Sequence, residues 1–474
     1  MAQQNTDYDV ILIGSGPGGY IAAIRASQLG LKAAVVEREE GLGGICLNWG
    51  CIPSKTILRN AEVLNTINHA KDYGIKINGT VEADFTAGLA RARGIIERQV
   101  KGVAFLMRKN KIEVVRGTGR VIDKNTVGVI APDGSEQQLT ANHIIIATGS
   151  RVKLLPGMNP SIIDGESIIT SKELWNIKKQ PKSVIILGAG PIGVEFATVF
   201  NAYATEVTVV EMLSRVVPLE DEEISSTLAR EFKKKGIKVM TGQKVASVVK
   251  ENGLVKVTAE AVEGGKQQTL EAELVVIGLG FSPSSDGLGL EELGVKLERG
   301  FIQVDEKMQT NVPGIYAIGD VTGKLALAHV ASAMGVVVAE VIAGHETVEL
   351  DYLSMPRCTY TSPQIASIGL NEAQAKERGY EVKSGKFGFQ PNGKAQALGE
   401  AVGFAKIIAD AKTGEILGAH LIGPEVTELI AEFSILRLLE GTVEELHRAV
   451  HPHPTLSEVL AEAGLAVEGL PLNA

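Results

Sequence analysis

The sequence predicts an α/β fold: two doubly wound parallel-sheet units, the second nested within the first, followed by a C-terminal α+β domain. Three observations carry that prediction. A strand–glycine–helix–strand–acid pattern occurs twice along the chain. Strand-like runs ending in glycine recur after each pattern, and the last of them lies beyond the second pattern. From about Asp351 the order changes to strands followed by helices, which marks a separate layer architecture.

The first opening begins at Tyr8–Ile13 (YDVILI), a β-branched run that ends in Gly14, Gly16 and Gly19. A helical stretch follows, then the apolar run AAVV and Glu37. The second opening repeats this order: SVIIL, then Gly188, Gly190 and Gly193, a helical stretch, VTVV and Glu211. Each acid lies 23 residues beyond its first glycine (14 to 37, 188 to 211). One G-x-G-x-x-G is a weak signal, but the full order at one offset twice points to two Rossmann-like dinucleotide-binding units. The first glycine allows a tight turn, the second lets backbone approach a pyrophosphate, and the third lets helix and strand pack closely. Helix N-terminal amides then face the phosphates, and the acid suits ribose hydroxyls.

His143–Ala147, Leu274–Ile277 and Gly314–Ile318 are expected to be closing strands, with glycines at their ends where open α/β sheets bind ligands. The stretch from Ser54 to about Asn110 is expected to be one long helical region. Leu325–Gly344 is apolar but contains His329 and Glu340, so a buried helix is expected there rather than a membrane span. Later segments (CTYTSPQIASIGL, FAKIIAD, ILGAHLIG) read as strands, and TELIAEFSILRLLE and TVEELHRAV as helices. The expected domains are 1–150, 151–281, 282–350 completing the first, and 351–474.

Composition sets outer limits. At roughly 150 residues per domain, the 474 residues suggest about three domains. Hydrophobic residues at 45% and charged residues at 22% exclude a disordered chain or a disulfide-stapled miniprotein. The 53 glycines exceed the usual ~7% share, which fits many tight turns. A net charge of −9 with no long basic run argues against nucleic acid or an anionic membrane as main partner. Aromatics at 4% are too few for base-stacking platforms. The opening MAQQNTDYDV has no basic region followed by an apolar stretch, so no secretory leader is read there and the cytoplasm is the expected compartment. An organelle is the alternative if a targeting peptide has been removed.

Three cysteines, Cys46, Cys51 and Cys358, are too few and odd in number for a disulfide framework. Cys358 reads as a small buried hydrophobe. Cys46 and Cys51 lie in GLGGICLNWGCIPSK, before a helical stretch, where a helix N-terminus would favour thiolate. Three readings are open: two buried thiols, half of a zinc site completed by His451 and His453, or a redox-active disulfide. Four intervening residues sit at the long end of the usual zinc pair spacing, which counts only marginally against zinc. The pair's place in a dinucleotide-binding unit favours redox chemistry, and no metal is expected.

The string GGICLNWGCIPSK resembles the active-site motif of the flavin disulfide reductases, the class I pyridine nucleotide-disulfide oxidoreductases. The resemblance covers nearly the whole chain: both glycine motifs, ATG at 147–149, GIYAIGD at 314–320 and HPHPTLSE at 451–458. It is greatest to the members that oxidise dihydrolipoyl groups with NAD. Glu211 would repel a 2′-phosphate, whereas glutathione reductase, the alternative, uses NADP and wants arginines there; only Arg215 is near. Mercuric and large thioredoxin reductases carry a further redox pair near the C-terminus, and this chain ends GLPLNA.

The resemblance implies FAD held by Gly14, Gly16, Gly19 and Glu37, with Asp320 on the ribityl chain and Ala328 and His329 near the isoalloxazine. Gly43, Gly44, Gly119, Thr148 and Gly149 are further FAD contacts by the same resemblance. Lys55 would stand beside flavin N5 and pair with Glu195. NAD would be held by Gly188, Gly190, Gly193, Glu195, Glu211, Val245 and Gly280, with Ile192 near the nicotinamide. Cys46 would be the outer sulfur and Cys51 the one nearer the flavin. His453 would be the base, Glu458 the acid that holds its ring, and His451 a supporting neighbour. The family implies a homodimer whose sites combine the cysteines of one chain with the histidine of the other. The implied partner is a lipoyl-bearing protein of a 2-oxo acid dehydrogenase complex or the glycine cleavage H protein.

Overall fold

The computed structural model describes residues 6–473. The residues before Thr6, part of the stretch read above for a leader, and Ala474 lie outside the described residues. Two compact units divide the chain. One comprises Met1–Thr56, Ala87–Lys153 and Gly280–Tyr352; the other comprises Ile57–Thr86, Leu154–Leu279 and Leu353–Ala474.

The first unit is built on a parallel sheet. Its strands run Glu113–Arg116, Ala33–Glu37, Tyr8–Ile13, Glu136–Ile146, and Ile315–Ala317 pairs on the far side of the last. Val10, Ile11, Leu12, Val35, Val36 and Ile144–Ile146 are almost fully buried. Continuous apolar runs of this kind are what a sheet covered on both faces requires. The closing strand Ile315–Ala317 follows the second dinucleotide motif in sequence, so the second motif interrupts the first unit. Helix Pro17–Gln28 starts with Pro at its first turn, where the missing N–H costs nothing. It packs on helix Ala328–Ile342 through small residues: a Cβ added to Gly335 would stand 2.7 Å from the Gly18 carbonyl oxygen. The strand Glu136–Ile146 also joins an antiparallel meander with Thr126–Ile130 and Thr118–Asp123.

The second unit contains a parallel sheet in the order Lys238–Met240, Glu206–Val210, Ser183–Leu187, Leu274–Ile277, Ile168–Ile169. A three-stranded antiparallel sheet, Gln243–Glu251, Leu254–Ala261 and Gln267–Ala272, follows the second acid. A third, antiparallel sheet orders Arg357–Thr359, Gln364–Gly369, Ile416–Gly423, Phe404–Asp410 and Val382–Gly388. Its core gathers Phe389, Leu421, Ile430 and Phe433, with Val459, Leu460 and Ala463 of helix Glu458–Val467.

Two expectations change here. The helical stretch from Ser54 to Asn110 is two helices, Cys51–Asn68 and Phe85–Lys109. Gly74 and Gly79, with φ of +70° and +110°, sit in the break between them, in a region that favours glycine. Residues Ile57–Thr86 group with the second unit rather than with the rest of the first 150 residues. At the end of this segment Phe85 stacks on Phe200 at 5.7 Å and meets Tyr203 edge-on at 5.0 Å, within the second unit. Among the described residues no helix is long and apolar enough to cross a membrane.

Candidate active site

The two glycine motifs have the same geometry. Gly14 and Gly188 adopt φ of +106° and +102°. Their amides donate to Val36 and Val210, each at 2.8 Å. A Cβ on Gly19 would lie 2.0 Å from the Gly14 carbonyl oxygen, and one on Gly193 the same distance from that of Gly188. Any other residue at either position pushes the helix off its strand. The middle glycines differ from these: a Cβ on Gly16 or Gly190 would meet nothing within 4 Å. These two cap helices Pro17–Gln28 and Pro191–Ala202 and face open space, the room that a phosphate at a helix N-terminus needs.

Each acid holds its own glycine turn. Glu37 Oε2 accepts from Ser15 N at 2.9 Å and from Ser15 Oγ at 2.6 Å, while Oε1 accepts from Glu39 N at 2.8 Å. Glu211 Oε2 accepts from Ala189 N at 2.7 Å, and Oε1 from Leu213 N at 2.8 Å. Both carboxylates are buried. Sequence reasoning assigned them only to a ligand; they also fix the turn residue that follows the first glycine. Arg215 donates to the Pro218 and Glu220 carbonyls at 2.9 and 3.3 Å.

Around the first motif, Asp320 accepts from Ser150 Oγ at 2.7 Å, and burial pushes its carboxyl above the ordinary carboxylate range despite that bond. Thr148 Oγ1 donates to the Ser284 carbonyl at 2.7 Å, and Gly149 has φ +67° with open space at its Cβ. Gly119 lies on a strand, where a Cβ would crowd Ile13 at 3.0 Å and Val36 at 3.1 Å; packing alone accounts for its size. Ala328 starts the helix that carries His329. His329 is exposed, which removes the reading of a packed core histidine. Arg116, the register partner of Glu37, has a buried Nη1 without a hydrogen-bond partner. The sequence carried no signal for it, because only the strand pairing brings it beside the acid.

In the second unit Glu195 is buried within helix Pro191–Ala202 and accepts from Tyr360 N at 2.9 Å. Val245 is buried at a bulge in strand Gln243–Glu251, and Gly280, which opens the last segment of the first unit, has φ +88° and open space. Lys55 and Glu195 belong to different units.

The cysteine segment folds against the first glycine turn. Gly43 N donates to Ser15 O at 3.0 Å, and a Cβ on Gly44 would lie 2.7 Å from Gly16 Cα. Cys46 belongs to the short helix Gly44–Asn48, and Cys51 is the first residue of helix Cys51–Asn68. Between them Gly50 is required, since a Cβ there would stand 2.9 Å from the Ile45 carbonyl oxygen. The two thiols are in hydrogen-bond contact; the Cys51 thiol and burial hold the Cys46 thiol protonated, far above the ordinary thiol range. Lys55 and the Cys51 amide pull the other way. Burial, with Cys46 alongside, also raises the Tyr20 phenol.

His453 lies in an irregular segment with its side chain 78% exposed, and its Nδ1 meets Glu458 Oε1 at 2.8 Å. Glu458 Oε2 accepts from Thr455 N at 2.9 Å. That amide bond and the His453 contact keep the Glu458 carboxyl below its ordinary range, against some burial. His451 meets Glu432 Oε2 through Nε2 at 3.1 Å and the Ala449 carbonyl through Nδ1 at 2.9 Å. Glu432 raises its affinity for a proton above that of ordinary histidine. With both nitrogens engaged, His451 is the less free of the two imidazoles.

Comparison with known proteins follows this geometry. Residues 8–335 match the family model of pyridine nucleotide-disulphide oxidoreductases, and residues 355–464 match that family's dimerisation domain. A dihydrolipoyl dehydrogenase of Rhizobium etli is 48% identical, covering 98% of this chain and 99% of its own length. One of Mycobacterium leprae is 48% identical, covering 99% and 100%. Among solved structures, LpdA from Mycobacterium tuberculosis superposes with a TM-score of 0.88 at 28% identity, covering 96% of this chain and 99% of that one. The HOCl-induced flavoprotein disulfide reductase RclA from Escherichia coli gives 0.85 at 25%, covering 96% and 99%. With two glycine turns, a dithiol folded against the first and a C-terminal dimerisation domain, the chain belongs to the pyridine nucleotide-disulphide oxidoreductases.

Proposed function

We propose that the chain oxidises protein-bound dihydrolipoyl groups to lipoyl groups, with FAD and NAD as its cofactors. The observation that carries this reading is the contact of the Cys46 and Cys51 thiols in a segment folded directly onto the first glycine turn.

The residues present fit both cofactors. Gly16 and Gly190 leave open space at two helix N-termini. Arg116 Nη1 is a buried donor in want of an acceptor beside the Glu37 strand, and Asp320 is a desolvated carboxylate suited to ribityl hydroxyls. Gly14, Gly16, Gly19, Glu37 and Asp320 would hold FAD; Gly188, Gly190, Gly193 and Glu211 would hold NAD. Bound FAD supplies the two-electron carrier between the dithiol and NAD.

The chain's own residues handle sulfur and protons. A dihydrolipoyl thiol is a poor nucleophile until deprotonated. His453 Nε2 takes that proton, while Glu458 on Nδ1 fixes the tautomer and steadies the imidazolium. The reaction starts from the oxidised, disulfide form of the pair: the substrate thiolate attacks Cys46 Sγ, the Cys46–Cys51 bond breaks and Cys51 leaves as thiolate. The second substrate thiol attacks the substrate sulfur bonded to Cys46, while His453 passes its first proton to the departing Cys46 Sγ and takes up the second thiol's proton. The lipoyl ring closes and Cys46 leaves, so the substrate has lost two electrons and the cysteine pair has gained them.

The C-terminal domain makes the protein a homodimer. Exposed Ile435, Leu438, Leu439 and Val450 on that domain support an apolar contact between copies. We place His453 in the partner chain's site. Mixing Cys46→Ser and His453→Gln dimers under proven subunit exchange should then restore activity, and exchange without recovery removes the shared site. The lipoyl arm belongs to a 2-oxo acid dehydrogenase complex or to the glycine cleavage H protein, in the cytoplasm. Turnover of NADH and NADPH with lipoamide and with oxidised glutathione tests the whole reading. NADH with lipoamide should dominate; NADPH with glutathione would replace it by the glutathione reductase reading.

A further inference from the structure

We infer that Asn392 is a positioning residue for the His453–Glu458 pair. The inference rests on His453 acting as the base.

Asn392 is 7% exposed and uses both ends of its amide. Oδ1 accepts from Ala395 N at 2.9 Å and caps the short helix Gly393–Leu398. Nδ2 donates to the Thr455 carbonyl at 3.0 Å, 63 residues away. A cap needs only an acceptor, and Ser, Thr or Asp would supply one. The second bond needs a donor on an atom separate from the cap acceptor and far enough along the side chain to reach Thr455; a Ser or Thr hydroxyl can donate, but its one short oxygen cannot hold both positions as the Asn amide does.

That second bond acts two residues after the base. Thr455 N donates to Glu458 Oε2 at 2.9 Å, and Thr455 Oγ1 donates to the Pro452 carbonyl at 2.7 Å. Thr455 is therefore held at its carbonyl by Asn392, at its amide by Glu458, and at its hydroxyl by the loop that carries His453. Glu458 Oε1 in turn meets His453 Nδ1 at 2.8 Å. The His453 side chain is largely exposed on its own chain, and Glu458 is the group that meets its Nδ1. The imidazole depends on Glu458, Glu458 on the Thr455 amide, and Thr455 on a fixed point in the buried sheet domain. Asn392 is that fixed point. Supports of this kind hold a functional group to the tolerance that catalysis needs.

The test uses the FAD-loaded dimer. Asn392→Ser keeps a cap acceptor and, being shorter, withdraws the donor from the Thr455 carbonyl. It should lower kcat for dihydrolipoamide oxidation about three- to tenfold, the factor that one net hydrogen bond carries. KM for dihydrolipoamide and the rate of NADH-to-dye transfer, which needs no thiol proton, should stay at the wild-type level. Asn392→Asp keeps both size and cap but turns an acceptor toward the Thr455 carbonyl, so it should lose more than the serine variant. It also serves if Asn392→Ser folds poorly. Added to His453→Gln, Asn392→Ser should cause no further loss, because it acts only through that ring. Undiminished lipoamide turnover in both Asn392 variants overturns the inference. So does an equal fall of the dye and lipoamide rates, or losses that multiply in the double variant. A His453→Gln enzyme with wild-type turnover would instead remove the base reading on which the inference stands.

Discussion

Glu458→Gln changes one atom and sets two hydrogen bonds against each other. In the native site one carboxylate oxygen accepts from Thr455 N at 2.9 Å and the other faces His453 Nδ1 at 2.8 Å. Glutamine offers one acceptor and one donor. If its oxygen stays on the Thr455 amide, its NH2 faces Nδ1. The imidazole must then carry its proton on Nε2, where it cannot accept one from a thiol. If the amide turns round, the useful tautomer survives, but the glutamine NH2 and the Thr455 N–H point at each other. An unsatisfied donor costs about 1–3 kcal/mol, a factor of about 5–150. The side chain takes the cheaper arrangement, so kcat/KM for dihydrolipoamide should fall by about 5- to 150-fold. Removing the base itself by His453→Gln should cost about 10²–10⁴-fold. Steady-state rates in both directions with lipoamide, beside NADH-to-dye transfer, make the measurement. Dye transfer should be unaffected by either change. A Glu458→Gln enzyme of wild-type rate, or one that loses dye transfer in step with lipoamide turnover, would refute the tautomer argument.

Three other outcomes are expected. Cys46→Ser should abolish lipoamide turnover yet keep a long-wavelength thiolate–flavin band from Cys51; the band in Cys51→Ser and not in Cys46→Ser would reverse the order of the sulfurs. Glu211→Gln should raise KM for NADH and narrow its advantage over NADPH, since Ala189 N or Leu213 N loses its acceptor along with the repulsive charge; an unmodified enzyme that already prefers NADPH would contradict this. Asp320→Asn concerns pH as well as binding. Burial raises the folded Asp320 carboxyl, so its favourable contribution is present below the ordinary carboxylate pKa of about 3.9 and lost as pH rises through the folded value. At neutral pH the FAD-free asparagine variant should therefore melt no lower than the parent and bind FAD more weakly, as read by thermal midpoint and FAD dissociation; weaker binding with a large fall in midpoint would mean a purely structural role.

The dinucleotide turns were legible because their chemistry is local: three glycines, each with its own steric reason, and an acid at a fixed offset. The strands legible in sequence were fully buried ones dominated by apolar residues, such as Leu274–Ile277 and Phe404–Asp410. Gln267–Ala272 (QQTLEA) and Val382–Gly388 (VKSGKFG) escaped notice, since polar or glycine-rich strands owe their state to their neighbours in the sheet. The break between residues 68 and 85 was hidden by helix-forming residues on both sides. Cys46, Cys51 and His453 were found through a string that resembles a family, and the structure adds what surrounds them. Arg116 and Asn392 had no signal at all. Each matters through a contact made by the tertiary fold, Arg116 across a sheet register and Asn392 across 63 residues.

The bond from each acid to the amide 22 residues earlier closes a hydrogen-bonded ring of set circumference: strand end, turn, helix, second strand, acid. Both rings contain a 12-residue helix that starts with proline. Insertion or deletion of even one residue inside such a ring would pull the carboxylate away from the turn and spoil the phosphate opening. Beyond the acid that constraint ends, and there the two copies part company. After Glu37 the chain builds the segment with Cys46 and Cys51; after Glu211 it turns through Arg215 toward helix Glu222–Lys234. The cysteine pair occupies the earliest stretch of the first copy that could change in length without disturbing its glycine turn. Descent from a shared ancestor of the two halves would thus leave circumference conserved and cargo divergent, and new chemistry would be grafted at residues 38–55 or 212–221 before anywhere within the rings.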